Sequence, residues 1–136
     1  MNANLTEQRR HIRVYFNSAE EIICQLSSEE KAVESLSATV LDLGMGGLRV
    51  SVTGGIAFAA GDRLVLNGLT HRTGYCCDQR LPLEVRWLSA SAQTGRFDMG
   101  CRFLSLAEKS RASIDSLIRM KISEYQNGGS LPILST

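Results

Sequence analysis

The chain has 136 residues, of which 43% are hydrophobic, and this is enough to bury the core of one domain without disulfides or a structural metal. Its formal net charge is only +1, so no field over the whole surface would attract duplex nucleic acid or an anionic membrane. No apolar run approaches the roughly 20 residues that span a bilayer, so we expect no membrane insertion.

The chain opens with a polar, basic lead over residues 1–12, which lacks the apolar stretch of a signal peptide. Short segments rich in Val, Ile, Leu and Phe follow, separated by Gly, Ser, Asn and Asp, a pattern typical of antiparallel β-structure. We predict a mainly β fold, a six-stranded antiparallel barrel over residues 13–104. The predicted strands are Glu21–Leu26, Ser37–Leu43, Leu48–Thr53, Arg63–Leu69, Leu81–Ser91 and Arg96–Leu104.

After the last strand the apolar residues recur at helical spacing. Ser105 and Glu108 match a capping box, and the run from Asn127 to Gly129 favours the end of a helix. We predict a C-terminal helix over residues 105–126, a tail over 127–136 and a single domain. The apolar face consists of Ile114, Leu117, Ile118, Ile122 and Tyr125, with Lys109, Arg111, Arg119 and Lys121 at other positions.

The cysteines do not have the spacing of a disulfide framework, since Cys76 and Cys77 are adjacent and Cys24 and Cys101 lie far away. We therefore expect reduced thiols and a cytoplasmic location. His71 precedes the adjacent cysteines, but their spacing differs from the C-x-x-C of zinc ribbons, so we predict no metal site. No nucleophile–base pair or useful pair of carboxylates can be named, and we do not expect an enzyme.

A basic cluster precedes the first core segment, formed by Arg9, Arg10, His11 and Arg13. Guanidinium groups match phosphate oxygens with two parallel hydrogen bonds, pair with the O6 and N7 acceptors of guanine and stack on base faces. Basic residues near a terminus are usually only solvated, so the cluster alone does not assign a ligand.

The second unusual stretch is DLGMGGLRV, residues 42–50, where an acidic residue and glycines interrupt two apolar strands. Glycine permits close approach of a ligand to the backbone, and Asp42 could accept from the N–H edge of a guanine or hold an arginine. A plain hairpin turn is the alternative. No βαβ unit surrounds the glycines, which excludes a dinucleotide-binding fold of the Rossmann type.

Together the two stretches resemble the PilZ domain family. RRHIR supplies R-x-x-x-R from Arg9 to Arg13, and DLGMGG matches D/N-x-S-x-x-G at Asp42 and Gly47. LEVRWL and DMGCRF resemble the last two strands of the family, and the likeness covers roughly residues 7–125. The resemblance implies a six-stranded barrel with a C-terminal helix that binds the bacterial second messenger cyclic di-GMP and passes the signal to a protein partner, with no further cofactor.

The resemblance also implies residue roles. Arg9 and Arg13 would grip the guanine faces and phosphates of cyclic di-GMP. Arg10 would add charge or contact a second ligand molecule. Asp42 and Gly47 would receive the other guanine.

The resemblance also bears on two further residues of the implied ligand site. Gly44 stands where the family pattern has serine, so a hydroxyl that would bond the ligand is missing. Trp87 lies where family members place an aromatic near the ligand, although packing inside the barrel is the alternative. The strand arginines are expected to project outward, and one could line the site if it neighbours Asp42 across the sheet: Arg49, Arg86 and Arg102.

Two other functions are compatible with parts of this sequence. A PilZ-like adaptor that no longer binds nucleotide is favoured by Gly44 and disfavoured by the arginines. An oligonucleotide-binding barrel would need aromatic platforms among several cations, and 6% aromatic content with near-neutral charge argues against it. The sequence leaves the partner, the ligand stoichiometry and the oligomeric state open.

Overall fold

The computed structural model describes residues 12–16, 22–28, 33–53, 58–71, 76–90, 95–128 and 133–135. Within these ranges the chain forms eight strands, all paired antiparallel, and one helix. The elements are β1 (Ile12–Tyr15), β2 (Ile22–Ser28), β3 (Val33–Leu43), β4 (Gly47–Thr53), β5 (Arg63–His71), β6 (Cys76–Ala90), β7 (Arg96–Phe103), α1 (Glu108–Gly128) and β8 (Ile133–Ser135).

Strands β2 to β7 form a closed six-stranded antiparallel barrel, which confirms the predicted fold class. Their order is β2–β5–β6–β7–β4–β3, and β3 pairs with β2 to close the ring. Buried and exposed residues alternate along β2 and β5, as expected when one face of each strand points inward. The interior is apolar and almost fully excluded from solvent, with residues such as Leu26, Leu64, Leu66, Leu83 and Val50.

Two short strands that the sequence analysis did not predict extend the sheet beyond the barrel. β1 pairs with the end of β3, matching Val14 with Leu43 and Tyr15 with Asp42. β8 pairs with the other side of β1 and lies within the segment predicted as a tail. Val14 is fully buried, so the chain around Arg13 belongs to the packed sheet. A strand of four residues beside a basic cluster is too short to show a clear alternating pattern.

The helix α1 confirms the predicted C-terminal helix, with a different start. The Arg111 amide donates to the Ala107 carbonyl at 2.9 Å, so Ala107 caps the helix and the predicted cap at Ser105 is wrong. The chain just before it is still held on the barrel, because the Leu104 amide bonds a carbonyl of β6. No helix in the described ranges is long and apolar enough to cross a membrane.

The apolar face of α1 packs against β1 and β6 and buries Ile114, Leu117 and Ile118, as predicted. Lys121 was expected away from this face but is also buried, because it lies two turns after Ile114 on the same side of the helix. Its ammonium lies 5.4 Å from the centroid of the Phe16 ring, a favourable position for a cation. Burial lowers the pKa of Lys121.

Two thiols lie in the barrel interior as free cysteines, Cys24 and Cys101. Burial raises the pKa of both to about 12. At pH 8 each should therefore react with iodoacetamide roughly a thousandfold more slowly than an exposed cysteine, since only the thiolate is nucleophilic. Peptide mapping by mass spectrometry checks this, with the unfolded chain in urea as the control. Rapid labelling of either cysteine in the folded chain would contradict the buried placement.

Candidate ligand-binding site

A row of residues runs across five neighbouring strands on one face of the sheet. Trp87 of β6 is paired with Gly100 of β7, and Gly100 is paired with Arg49 of β4. Arg49 is paired with Asp42 of β3, and Asp42 with Tyr15 of β1. Directly opposite residues of paired strands are close enough for their side chains to interact. The sheet therefore brings together positions that are far apart in the sequence.

A β-bulge on β6 turns Trp87 onto this face. The pairing of β6 with β7 shifts between Val85 and Trp87, which leaves Arg86 as the extra residue. Strict alternation after the buried Val85 would have placed Trp87 inside the barrel, whereas the side chain is on the surface and 43% exposed. The indole lies directly on Gly100: a Cβ at that position would be 2.0 Å from the indole Nε1.

This contact gives a testable prediction for Gly100→Ala. The added methyl group would displace the indole from β7, because it would lie 2.0–2.8 Å from three atoms of the ring. We expect a red shift of the tryptophan emission, which reports Trp87 alone since the chain has one tryptophan. The matched control is Gly46→Ala, where a Cβ meets nothing within 4 Å. Identical emission spectra of the two variants would contradict the packing of Trp87 on Gly100.

Asp42 is a buried carboxylate between two arginines. A second bulge, between Val40 and Asp42 on β3, aligns Asp42 with Arg49. Arg13 Nη1 donates to Asp42 Oδ1 at 2.5 Å, and Arg49 Nε donates to Asp42 Oδ2 at 2.9 Å. Asp42 is 4% exposed, so both charge-assisted bonds are needed to offset its removal from water. Of the two roles left open for Asp42, the structure shows that it holds arginines.

The turn between β3 and β4 is built from glycines and lies close to two other strands. The Gly44 amide donates to the Gly47 carbonyl at 2.9 Å, and the Gly46 carbonyl accepts from the Phe103 amide at 2.9 Å. Gly47 lies against β7 so closely that a Cβ would be 2.1 Å from the Cys101 carbonyl oxygen. Residues 42–50 therefore form a hairpin turn, which was the alternative to a ligand-binding role. The same turn is held against β7 beside the arginines.

A second ion-pair group lies on the β6–β7 side. Arg102 is paired with Glu84 on one neighbouring strand and with Gly47 on the other. Arg102 Nε donates to Glu84 Oε1 at 2.7 Å, and Arg86 Nη1 donates to the same oxygen at 3.4 Å. The hydrogen bond from Arg102 is the main cause that lowers the pKa of Glu84. Glu84 therefore stays ionised at neutral pH and accepts hydrogen bonds from both arginines.

These groups surround a cavity of about 460 Å³ that borders β1, β3, β4, β6 and β7. Of the predicted site residues, the cavity is lined by Arg13, Asp42 and Trp87. All three strand arginines also line it, which exceeds the expectation that one of them would: Arg49, Arg86 and Arg102. Arg9 and Arg10 lie outside the described residues. Gly44 and Gly47 form the turn beside the cavity.

Five residues that line the cavity were not predicted as part of the site: Tyr15, Gly46, Leu48, Gly100 and Cys101. Gly100 did carry a signal, because a glycine inside an otherwise continuous strand indicates close approach of another group. Tyr15 carried none, since it lies on the unpredicted strand β1. Among the described residues, no three His, Cys, Asp or Glu side chains are grouped to hold a metal. The side chains of Cys76 and Cys77 lie outside that set.

Comparisons with known proteins agree on one fold. A model of the PilZ domain matches residues 7–120. Among solved structures, the chain is similar to the PilZ domain of YcgR from Escherichia coli with c-di-GMP, at 15% identity and a TM-score of 0.65, covering 90% of this chain and 98% of that chain. A search of curated proteins finds no match.

Two further structures are similar over about half of their own length. One is the MrkH–c-di-GMP complex of K. pneumonia, at 13% identity and a TM-score of 0.69, covering 88% of this chain and 55% of that chain. The other is the inhibitor of motility MotI/DgrA from Bacillus subtilis, at 17% identity and a TM-score of 0.64, covering 85% and 52%. At such low sequence identity, the similarity to these solved structures shows a shared fold and nothing further.

Proposed function

We propose that this chain, which belongs to the PilZ domain family, is a receptor that binds cyclic di-GMP in its arginine-lined cavity. The observation that carries the proposal is the buried Asp42 with Arg13 and Arg49 bonded to its two oxygens. The pair of arginines is thereby oriented before any ligand arrives. An oriented donor loses less conformational entropy on binding than a mobile one.

The cavity offers a match for each chemical part of the ligand. Cyclic di-GMP has two anionic phosphodiester groups and two guanines, and guanidinium groups bind both kinds of acceptor. Arg13 would bind a phosphate or a guanine O6/N7 edge. Trp87, whose indole lies against Gly100 of β7 and which is 43% exposed, would stack on a guanine. By the family motif, Arg9 and Arg10 would complete the clamp from the N-terminal side.

The proposed activity is recognition and not catalysis. Cys101 lines the cavity, but burial raises the pKa of its thiol to about 12, so the thiol is protonated at neutral pH. A ligand can change the shape of such a receptor only by its differential affinity for two conformations. The receptor would then act in the cytoplasm on a downstream protein partner that is not identified. An adaptor that does not bind nucleotide is the second candidate, and Gly44 in place of serine favours it.

Isothermal titration calorimetry of the purified chain with cyclic di-GMP tests the proposal, with GMP and cyclic di-AMP as controls. We expect selective binding in the low-micromolar range or tighter, and the titration also gives the stoichiometry. No heat together with no competition in an independent binding assay would overturn the receptor and favour the adaptor.

Gly44→Ser tests the departure from the family motif. The φ of Gly44 is not in the left-handed region, so serine can adopt the backbone, but its Cβ would meet the Ile12 carbonyl oxygen at 3.0 Å and Arg13 Cγ at 3.3 Å. We expect cyclic di-GMP to bind about two- to tenfold more tightly, because one neutral hydrogen bond is added while β1 moves by a few tenths of an ångström.

The matched control for that variant is Gly44→Ala, which adds the same Cβ without the hydroxyl. Alanine should bind no more tightly than the natural chain. Equal gains in Gly44→Ser and Gly44→Ala would contradict a hydrogen bond from the serine hydroxyl.

A further inference from the structure

Arg86 and Arg102 form a second arginine pair, on the side of the cavity opposite β1. Their side chains are 57% and 50% exposed, and both line the cavity. β3 and β4 separate this pair from Arg13, so the two arginine groups border the cavity from different sides. Neither Arg86 nor Arg102 belongs to the two motifs that identify the family in the sequence.

The local structure explains why the pair reaches the cavity. Arg86 follows the buried Val85 and therefore points outward, and the β6 bulge places Trp87 on the same surface beside it. Arg102 is paired with Gly47, which has no side chain to cover it. Glu84 accepts from Nε of Arg102 and from Nη1 of Arg86. The two terminal nitrogens of Arg102 have no hydrogen-bond partner within the described part of the chain.

We propose that Arg102, assisted by Arg86, binds a phosphodiester group of the ligand, and that Glu84 is the positioning residue that orients Arg102. This inference rests on the proposed function. The ligand is then held between two arginine groups, one anchored by Asp42 and the other by Glu84. In both groups a carboxylate fixes one nitrogen of a guanidinium and leaves other donors for the ligand.

The charges around the cavity support a dianionic ligand. Four arginines line the cavity and Asp42 is the one acidic side chain among the lining residues, although the net charge of the whole chain is only +1. A cyclic dinucleotide carries two phosphodiester groups on opposite sides of its ring. Terminal guanidinium nitrogens match the oxygens of a phosphodiester with two parallel bonds, which an ammonium cannot do.

Arg102→Gln and Arg102→Lys test the contact by titration with cyclic di-GMP at two salt concentrations. We expect Arg102→Gln to weaken binding by about 10- to 100-fold and to reduce the dependence of affinity on salt. Arg102→Lys keeps the charge but loses the planar fork, so it should recover only a small part of that loss. The control is Arg119→Gln on α1, whose arginine is exposed and paired with Asp115.

Glu84→Gln tests the positioning role of Glu84, because positioning and simple charge attraction predict opposite changes in affinity. Removal of a negative charge beside the cavity would strengthen the binding of an anion if only the local field mattered. We expect weaker binding, by about three- to tenfold, because the neutral amide oxygen of glutamine accepts from Arg102 more weakly than the carboxylate and orients it less. Tighter binding in Glu84→Gln would overturn the positioning role.

The outcomes separate this inference from the proposed function. If the natural chain binds cyclic di-GMP and Arg102→Gln binds with the same affinity while remaining folded, the second arginine group is overturned and the receptor stands. If the natural chain does not bind, the receptor and the inference fall together. Circular dichroism and the melting temperature of each variant establish that a loss of affinity is not a loss of fold.

Discussion

Arg13→Ala should weaken the binding of cyclic di-GMP by about 100-fold or more. At the proposed site the arginine would donate charge-assisted hydrogen bonds to the ligand, each worth roughly 1.5–3 kcal/mol. It is also one of two partners of the buried Asp42, to which its Nη1 donates at 2.5 Å. We therefore expect the free energy of unfolding to fall by about 1–2 kcal/mol, while Arg49 keeps the carboxylate paired.

Titration calorimetry and thermal unfolding measure the two effects of Arg13→Ala separately. Arg119→Ala is the control, because it removes an exposed arginine on α1 whose partner is also exposed. A folded Arg13→Ala chain with unchanged affinity would contradict the site. Loss of affinity with unchanged stability would contradict the pairing of Arg13 with Asp42.

Gly47→Ala should be the most destabilising of the single substitutions considered. The added Cβ would lie 2.1 Å from the Cys101 carbonyl oxygen and 2.9 Å from the Cα of Arg102. Both are backbone atoms of β7, so β4 and β7 must separate where seven consecutive residue pairs join them. We expect a loss of about 3 kcal/mol, at the upper end of the usual cost of overpacking.

The melting temperature checks this prediction, and a fall of roughly 10 °C is expected for a domain of this size. Gly46→Ala is the matched control in the same turn, because a Cβ at Gly46 meets nothing within 4 Å. Its melting temperature should stay close to that of the natural chain. Similar melting temperatures for the two variants would show that the close approach of β4 to β7 at Gly47 is absent.

The barrel strands and the apolar face of α1 could be predicted because each depends on a local repeat. Alternating residues along β2 and β5 and the spacing of Ile114, Leu117 and Ile118 are visible in the sequence and correspond to the buried positions. β1 and β8 were missed because each has four residues or fewer; β8 pairs only with β1, and β1 pairs with β8 and with the end of β3. The pairing of β1 with β8 joins residues more than 100 positions apart in the sequence, and no local pattern reports it.

Only the part of the candidate site that depends on local sequence motifs could be predicted. Arg13 and Asp42 belong to recognisable motifs, but the direction of Trp87 depends on a bulge that adds one residue to β6. Before the bulge, the buried residues Leu83 and Val85 predict that Trp87 is inside. A bulge of this kind reverses the faces of all later residues. Arg86 and Arg102 were expected to project outward, but which outward residues border the cavity depends on how β6, β7 and β4 pair, and the sequence does not show this pairing.

β1 is joined to the rest of the sheet much more weakly than the barrel strands are joined to one another. It has two paired residues on β3 and three on β8, whereas β4 and β7 share seven. Local opening requires less free energy than global unfolding where few pairs must break. Since Arg13 lies on β1, a nucleotide held at the proposed site would be released when this strand alone detaches. The residence time of the ligand should therefore depend on the local stability of β1, and substitutions in the barrel core that lower the melting temperature need not shorten it.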